Sequence, residues 1–498
     1  MSKFPSTSLI KGFLFSALDK FGPMPKYAYP EPVSENEKKN SSEFNLTFRD
    51  YTQISIKNLS LLMNDKTNID DKSLKDANYF AILPYPDYKI TSLTYFHFIW
   101  LHGSSKPVPT AFSLLVEERK RNFLYNNIDK IKALILESFT KLDDQFAEGF
   151  VPYDKVQFIF EELINALLDV EKRPSYPITA ERKLKIIFFG LDSAGKTSFF
   201  LTIDRRFSRL IGVKPTRGEK ISTIQAVGAT ISLWDLGGQL QFREKYIKKS
   251  EIYLYEADLM FYFIDVQRKD RFKESIQYLK TVKKDLEQMD QITPVIYVLT
   301  KADPDIIDTP RIQENIKEIT TMLTELNKKN IPEINVTSIF SLYSVLRAFS
   351  SGISKLSPNR ALIGFNLRNF SVDNKIALTL LLSYDGLLLA DYVSQNILEF
   401  KAFSQVKENE TDIKNVFEVT APQFTNLFKI FEEFKSIKEK EAIFKIADAI
   451  VLFKRVIVDN QEIFLLFLID DESSKEQIKQ SLPEFLSRNS TLISRYIS

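Results

Sequence analysis

The spacing of apolar residues over positions 1–171 predicts five strands and three helices in the order ββαβββαα. In the strands, apolar residues alternate with polar ones or follow each other without a break, and in the helices they recur every three or four positions. The expected helices lie near 48–63, around Leu124, Ile128, Ile131 and Ile135, and over Val156–Leu168. The expected strands are Ile10–Leu18, a second extended run that ends at Pro30, Tyr79–Leu83, Ile90–Trp100 and Thr110–Val116.

The last segment of the chain has a similar pattern. Two alternating runs, Ile376–Ser383 and Leu387–Val393, flank Asp385-Gly386, a residue pair that is typical of tight hairpins. Both ends of the chain are therefore predicted to be small α/β domains, each with a five-stranded antiparallel sheet. The other elements expected in the last segment are a helix near Pro422–Phe434, strands over Ala442–Ile446, Ala449–Val458 and Ile463–Ile469, and a final helix from about Glu476.

Two breaks divide the chain. The segment 172–181 has two prolines and no clear periodicity, and a second break falls near 350–360. We therefore predict three domains, over residues 1–171, 182–355 and 360–498. Seven of the 14 glycines lie between Gly190 and Gly238, in the middle domain. Glycine allows the backbone to turn sharply or to approach a ligand closely, and phosphate is the obvious candidate ligand.

The clearest motif of the middle domain begins at Gly190. The apolar run Lys183–Phe189 leads into GLDSAGKT, which fits the pattern GxxxxGK[ST] between a strand and a helix. Backbone N–H groups of such a loop surround phosphates, and the following helix adds the positive end of its dipole. Lys196 is expected to reach the β- and γ-phosphates, and the Thr197 hydroxyl to coordinate Mg²⁺. The predicted phosphate-binding residues here are Gly190, Asp192, Ser193, Ala194, Gly195, Lys196, Thr197 and Ser198.

Two further motifs complete the phosphate side of the predicted site. Thr216, within KPTRG, is well placed along the chain to sense the γ-phosphate through Mg²⁺. In WDLGGQ, Asp235 can hold Mg²⁺ through water and Gly238 can donate its backbone N–H to the γ-phosphate. Gln239 could orient the attacking water, which makes it the candidate catalytic residue.

The base side of the site is predicted from two later motifs. Asp303 ends the sequence TKAD and can accept two hydrogen bonds from the N1–H and N2–H₂ groups of guanine. Adenine offers no such pair of donors, so the motif favours GTP over ATP. In the later sequence TSI, backbone amides would meet the guanine carbonyl. The predicted guanine-binding residues are Thr300, Lys301, Asp303, Ser338 and Ile339.

Composition narrows the class of protein. The chain has no cysteine, which excludes thiolate catalysis, disulfides, palmitoylation and prenylation, and Ser2 excludes N-myristoylation. The net charge is only +2, from 67 basic and 65 acidic residues, and gives no reason to expect a nucleic-acid partner. No uninterrupted apolar run is long enough for a membrane span. We therefore expect a cytoplasmic protein without a lipid anchor.

In this order and spacing, the motifs resemble those of the Ras superfamily. GLDSAGKT, PTRG and WDLGGQ, followed by Phe242-Arg243 and Tyr246, look most like the Arf branch, and TSIFSLYSVLRAFS is similar to a stretch of Rag/Gtr GTPases. The resemblance implies a P-loop α/β domain with a mostly parallel six-stranded sheet, GTP or GDP with Mg²⁺ as cofactors, and switch regions near 205–220 and 236–250. It also implies slow hydrolysis that a separate activating protein accelerates. Thr300 stands where most members have asparagine.

The flanking segments also resemble known domains. The first, with ALDKFGPMPKYAYP, resembles longin domains, and the last, with LTLLLSYDGLLLADYV, resembles roadblock or related longin-type domains. These resemblances imply protein partners, namely an effector, activating and exchange factors, and dimerisation through the roadblock or longin flanks. Any membrane association would be peripheral and would depend on partners.

Two functions from different classes follow from these motifs. The first is a GTP/GDP switch that hydrolyses GTP slowly, with membrane trafficking or Rag-like signalling scaffolds as settings. The second is a constitutive scaffold or dimerisation protein that keeps its nucleotide with little or no turnover. A Thr216 loop buried under a flanking domain would favour the scaffold. An ATP-using phosphotransferase is disfavoured by Asp303 and by the lack of a second substrate motif.

Overall fold

The structure is a computed structural model. It describes residues 8–40, 44–62, 78–103, 106–148, 153–172, 183–203, 216, 218–226, 229–289, 291, 293–327, 331–400, 417, 420–421, 424–425, 428, 441–446 and 449–496. The predicted linker beyond residue 172, most of the first switch region and most of the helix expected near 422–434 lie outside the described residues.

The first sheet has five antiparallel strands, as predicted, and their order in the sheet is β2-β1-β5-β4-β3. Its strands are β1 (Ile10–Asp19), β2 (Gly22–Tyr29), β3 (Tyr79–Tyr85), β4 (Ile90–Ile99) and β5 (Val108–Glu117). The helices of this segment are α1 (Glu35–Asn40), α2 (Phe48–Ser60), α3 (Asn122–Asn126), α4 (Ile128–Glu148) and α5 (Tyr153–Glu171). Helix α2 starts at a capping box, in which the Thr47 hydroxyl accepts from the Asp50 amide and the Asp50 carboxylate accepts from the Thr47 amide. Aromatic side chains of the sheet pack against α4 and α5 to form the core.

The central sheet has six strands in the order β11-β10-β9-β6-β8-β7, and all its pairs are parallel except β7–β8. The mostly parallel six-stranded sheet is therefore confirmed. Its strands are β6 (Lys183–Gly190), β7 (Glu219–Ala226), β8 (Ala229–Leu236), β9 (Leu259–Asp265), β10 (Val295–Thr300) and β11 (Ile334–Val336). The accompanying helices are α6 (Lys196–Ile203), α7 (Leu240–Lys248), α8 (Ser250–Tyr253), α9 (Phe272–Gln288), α10 (Pro310–Leu326) and α11 (Leu342–Lys355). The predicted motifs follow the carboxyl ends of these parallel strands, where ligands of such sheets bind.

The third sheet again has five antiparallel strands, as predicted, and their order in the sheet is β13-β12-β16-β15-β14. They are β12 (Leu378–Ser383), β13 (Leu388–Val393), β14 (Glu441–Ile446), β15 (Ala449–Val458) and β16 (Gln461–Ile469). Two helices, α12 (Arg360–Asp373) and α13 (Glu472–Ser494), flank these strands in the sequence. The sequence analysis missed α12, because this helix buries polar as well as apolar side chains, including Asn366 and Ser371, and so shows no clear apolar stripe.

The chain separates into two compact units. The first comprises residues 1–182, 358–374 and 477–495, so most of α12 and α13 belongs with the first sheet. Within it, the buried Asn359 accepts a hydrogen bond from the Ile82 amide of β3 at 2.8 Å. The second comprises residues 183–357, 375–476 and 496–498. Within it, the Leu388 amide of β13 donates to the Ser350 hydroxyl of α11 at 3.2 Å. The three domain bounds stay a prediction.

Among the described helices, none combines the length and the apolar character needed to cross a bilayer.

Candidate nucleotide site

The loop between β6 and α6 has a backbone conformation that requires glycine at position 190. Gly190 has a φ of 144°, and a Cβ atom there would lie 2.4 Å from the carbonyl oxygen of Phe263 in β9. No other residue type fits this position without moving the sheet. Ser193 has a φ of 60°, and α6 begins directly after the loop, at Lys196. The strand, loop and helix that GLDSAGKT predicts are therefore all present.

Lys196 is held inside this loop. Its ammonium donates hydrogen bonds to the carbonyl oxygens of Leu191, at 2.7 Å, and Gly190, at 3.1 Å. Burial lowers the pKa of Lys196 to about 8, although the nearby carboxylates of Asp235 and Asp192 partly oppose this shift. A buried ammonium with neutral carbonyl partners is poorly compensated, and phosphate oxygens would supply the missing negative charge.

The three predicted Mg²⁺ ligands lie together. The Thr197 hydroxyl donates to Oδ2 of Asp235 at 2.6 Å, and the Thr216 hydroxyl donates to the same oxygen at 3.1 Å. The two hydroxyl oxygens are 2.9 Å apart. These residues come from three separate places in the sequence, namely the start of α6, the loop before β7 and the end of β8.

This cluster fits a small divalent cation. Mg²⁺ prefers oxygen ligands at about 2.0–2.1 Å in octahedral geometry, in which neighbouring ligand oxygens are about 2.9 Å apart. The distance between the Thr197 and Thr216 hydroxyls matches this spacing. Asp235 is 4 % exposed, and its second carboxylate oxygen, Oδ1, is buried without a hydrogen-bond partner in the described part of the chain. Such an acceptor is suited to a water molecule bound to the metal.

The second switch motif lies against the phosphate loop. A Cβ atom on Gly238 would lie 2.2 Å from the backbone nitrogen of Asp192, so only glycine permits this approach. The Gly237 amide donates to the Gly218 carbonyl and to the Tyr246 hydroxyl, at 2.9 and 3.1 Å. Gln239 follows directly and precedes α7, with its amide oxygen 3.4 Å from the Gln241 side-chain nitrogen. The catalytic role of Gln239 stays a prediction.

The base side is assembled from β10 and the segment after β11. The buried Thr300 hydroxyl lies 2.9 Å from the Ala194 carbonyl oxygen, to which it donates, so threonine connects this motif to the phosphate loop. The Ser338 hydroxyl donates to Oδ1 of Asp303 at 2.6 Å, which orients the carboxylate. Each carboxylate oxygen has two lone pairs, so acceptors for a guanine base remain available.

A cavity of about 150 Å³ opens beside these residues, and its wall includes Thr300 and Asp303 together with Gly195, Ser198 and Ile339. Lys301 also lines it, and its ammonium is paired with Asp265 at 2.6 Å, which fixes the lysine stem. Phe340 completes the wall while remaining 75 % exposed. The sequence analysis did not single out Phe340 or Asp265, although their places after TSI and at the end of β9 would have marked them.

One further contact was not foreseen. Arg271, just before α9, donates to Oδ1 of Asp192 at 2.8 Å and to the Asp192 carbonyl at 3.3 Å. The hydrogen bond and positive charge of Arg271 hold the pKa of Asp192 below its usual value, although burial opposes this. The two residues are 79 positions apart, so no local pattern could have paired them. Together, the loop, the oxygen cluster and the base cavity define a P-loop nucleotide-binding domain.

Comparison with known proteins agrees with this class. Residues 185–413 match the Gtr1/RagA G protein conserved region. Over 109 residues the chain is 32 % identical to ADP-ribosylation factor-like protein 3 of Caenorhabditis elegans. The aligned residues make up 22 % of this chain and 55 % of that protein. Over 145 residues it is 28 % identical to ADP-ribosylation factor-like protein 2 of Drosophila melanogaster. The aligned residues make up 28 % of this chain and 74 % of that protein.

A solved structure is also similar, that of the Arl6 BBS3 small GTPase from Trypanosoma brucei with bound GppNp. It is 21 % identical, covers 34 % of this chain and 95 % of its own, and has a TM-score of 0.27. The matched G protein region and the two Arf-like relatives are similar to the central part of this chain and support a Ras-superfamily small GTPase domain there. The similarity of the flanks to longin and roadblock domains stays a prediction.

Proposed function

We propose that this protein binds GTP and GDP together with Mg²⁺ and acts as a slowly hydrolysing molecular switch. The observation that carries the proposal is the contact between Thr216 and the pair Thr197 and Asp235. Thr216 lies in a loop of the first switch region, whereas the other two residues lie on α6 and β8. A γ-phosphate and Mg²⁺ bound at this point would hold the loop, and hydrolysis would release it.

Each side of the site has a defined task in this proposal. Lys196 and the backbone N–H groups of residues 192–197 bind the β- and γ-phosphates, and Gly238 donates its N–H to the γ-phosphate. The hydroxyls of Thr197 and Thr216 and the carboxylate of Asp235 hold Mg²⁺, which neutralises charge on the phosphates when bound. Asp303 and the Ile339 amide select guanine. The predicted role of the Ser338 amide is taken over by its hydroxyl, because that amide donates to the Ser344 hydroxyl at 3.0 Å and the Ser338 hydroxyl holds Asp303.

Hydrolysis in this proposal depends on Gln239, which orients the attacking water. Its side chain touches Gln241 and contacts no residue of the phosphate loop among the described contacts. A partner protein that fixes the glutamine and supplies an arginine would therefore raise the rate, typically by about 10³–10⁵. Effectors and exchange factors are the other expected partners, and the flanks could dimerise. A cytoplasmic location, with membrane contact through partners, belongs to the same proposal.

The test is to measure the nucleotide content and turnover of the purified protein beside Gln239→Leu, with GTP and ATP compared. We expect guanine-selective binding, and slow GTP hydrolysis that Gln239→Leu abolishes while nucleotide affinity is kept. Gln53→Leu is the matched control, because Gln53 is an exposed glutamine on α2 in the other compact unit, and this variant should hydrolyse GTP like the wild type. Hydrolysis of ATP by the wild type would overturn the proposal.

The alternative is a constitutive scaffold with a permanently bound nucleotide. It predicts tight guanine binding with no turnover in either protein. The described contacts favour the switch, because the partners of the half-buried Thr216 are Thr197 and Asp235, both within the nucleotide site. A scaffold in which Thr216 is packed under a flanking domain would have placed other residues around it.

A further inference from the structure

Four charged side chains form a continuous ion-pair network from the phosphate loop to α7. Arg271 donates to Asp192 at 2.8 Å and to Glu274 at 3.2 Å. Arg243, on α7, in turn donates to the other oxygen of Glu274. Negative and positive charges alternate through this network, and its members come from the phosphate loop, the start of α9 and the second switch helix. Arg271, Glu274 and Arg243 have no role in the function proposed above.

The side chains of this ion-pair network are held rigidly enough to fix Arg271. The Arg271 side chain is 22 % exposed, and that of Arg243 is 8 % exposed and lies over the ring of Tyr278, 5.3 Å from its centroid. Burial raises the pKa of Glu274, but hydrogen bonds from Arg243 and Arg271 lower it further than burial raises it. Glu274 is therefore an anion held between two cations, and it orients the guanidinium of Arg271 toward Asp192.

The position of Asp192 gives this contact a consequence. The Asp192 backbone nitrogen lies directly against Gly238, the residue expected to donate to the γ-phosphate. The Asp192 carboxylate also acts on the Lys196 ammonium, whose pKa it raises, so it lies near the side chain that is expected to reach the β- and γ-phosphates. Two negative groups repel each other strongly in a partly buried site, and a paired guanidinium cancels most of that repulsion. GDP lacks the γ-phosphate and would experience much less of it.

We propose that Arg271 is a positioning residue that sets the preference between GTP and GDP by neutralising and holding the Asp192 carboxylate beside the γ-phosphate. This inference rests on the proposed function, since it concerns the same nucleotide site. It assigns to the chain itself a cation near the third phosphate. Arg271 acts through Asp192 and is not required to contact the nucleotide.

The experiment measures dissociation constants of GDP and of a non-hydrolysable GTP analogue for the full chain and its variants, with Mg²⁺ present. We expect Arg271→Ala to weaken binding of the GTP analogue by about tenfold, with a much smaller change for GDP. Arg268→Ala is the matched control, because Arg268 lies three positions away, is 55 % exposed and pairs with Asp270. It should bind both nucleotides like the wild type.

A second variant separates this effect from a loss of folding. In the double variant with Arg271→Ala and Asp192→Asn, the uncompensated charge is gone, and we expect the ratio of the two dissociation constants to return toward the wild-type value. An equal loss of affinity for GDP and the GTP analogue, or a ratio that Asp192→Asn does not restore, would show a structural role only. An unchanged ratio with slower hydrolysis would show that Arg271 acts in catalysis instead. Wild-type protein that binds neither guanine nucleotide would refute the proposed function itself.

Discussion

The first sheet and the nucleotide site both bury polar groups, but they treat them differently. Between α2 and the first sheet lies a line of fully buried polar side chains from both, which we call the serine–asparagine seam. Ser16 and Ser55 lie 2.8 Å apart, and Asn58 donates to Ser113 at 2.9 Å. Tyr85 donates to the other end of the Asn58 amide. The remaining members of the seam are Ser92 and Thr94, which bond each other and extend the seam to Ser113.

The nucleotide site lacks this mutual satisfaction. Asp235 keeps one buried oxygen without a hydrogen-bond partner among the described residues, and burial lowers the pKa of Lys196 to about 8. Asp235 lies at the carboxyl end of β8, and Lys196 begins the helix that follows the loop after β6. A buried polar group that its neighbours satisfy contributes to a specific fold, whereas one that they leave unsatisfied costs free energy until a ligand arrives. The seam therefore serves the fold, whereas Asp235 and Lys196 have charges that a ligand would satisfy.

The largest expected effect is at Asp235. Asp235→Ala should weaken Mg²⁺-dependent nucleotide binding by about a hundredfold, because the cluster loses its only carboxylate. Removal of Mg²⁺ by a chelator should weaken binding by the wild type in the same way. Titration of a fluorescent GDP analogue, with and without the metal, measures both. An affinity that neither change alters would refute the metal site.

The next effect sharpens the other side of the comparison. Asn58→Ala removes one buried hydrogen-bond partner from the Ser113 hydroxyl and one from the Tyr85 hydroxyl, so it should lower the free energy of unfolding by about 2–3 kcal/mol. Denaturant unfolding measures it, and nucleotide affinity should not change. Gln53→Ala, which removes an exposed amide side chain from the same helix, is the control and should be near neutral. Equal losses for the two variants would remove the distinction drawn for the seam.

The smallest effect concerns pH. Since the folded-state pKa of Lys196 is lowered to about 8, the folded chain lacks a proton between pH 8 and 10.5 that the unfolded chain holds. The burial penalty is thus fully present below pH 8 and is relieved as pH rises through that range. Bound phosphates favour the ammonium, so nucleotide binding should take up about three-quarters of a proton at pH 8.5 and about a quarter at pH 7.5.

Calorimetry in two buffers with different ionisation enthalpies measures this proton uptake. Lys196→Arg is the control, because a guanidinium does not titrate in this range and should show no uptake at pH 8.5. Equal uptake by the variant and the wild type would assign the proton to another group.

The sequence by itself determined the strand, loop and helix around Lys196, the two five-stranded sheets and the six-stranded sheet, because each depends on local patterns or on motifs with fixed spacing. It also named Thr197, Thr216 and Asp235, since the chemistry of magnesium and phosphate restricts the residue types. The apolar pattern of the sequence did not predict helix α12, because this helix is buried on nearly every side and therefore has no regular alternation of apolar and polar faces.

Only the tertiary structure decided the contacts between residues far apart in the chain. It placed Thr216 on Asp235, connected Thr300 to the phosphate loop, and brought Arg271 to Asp192. It also assigned α12 and most of α13 to the same compact unit as the first sheet. Such contacts depend on strand order and on how helices pack over the sheet, and no local sequence pattern encodes them. Residue chemistry could therefore be read from the sequence, whereas the state of each charge required its neighbours in space.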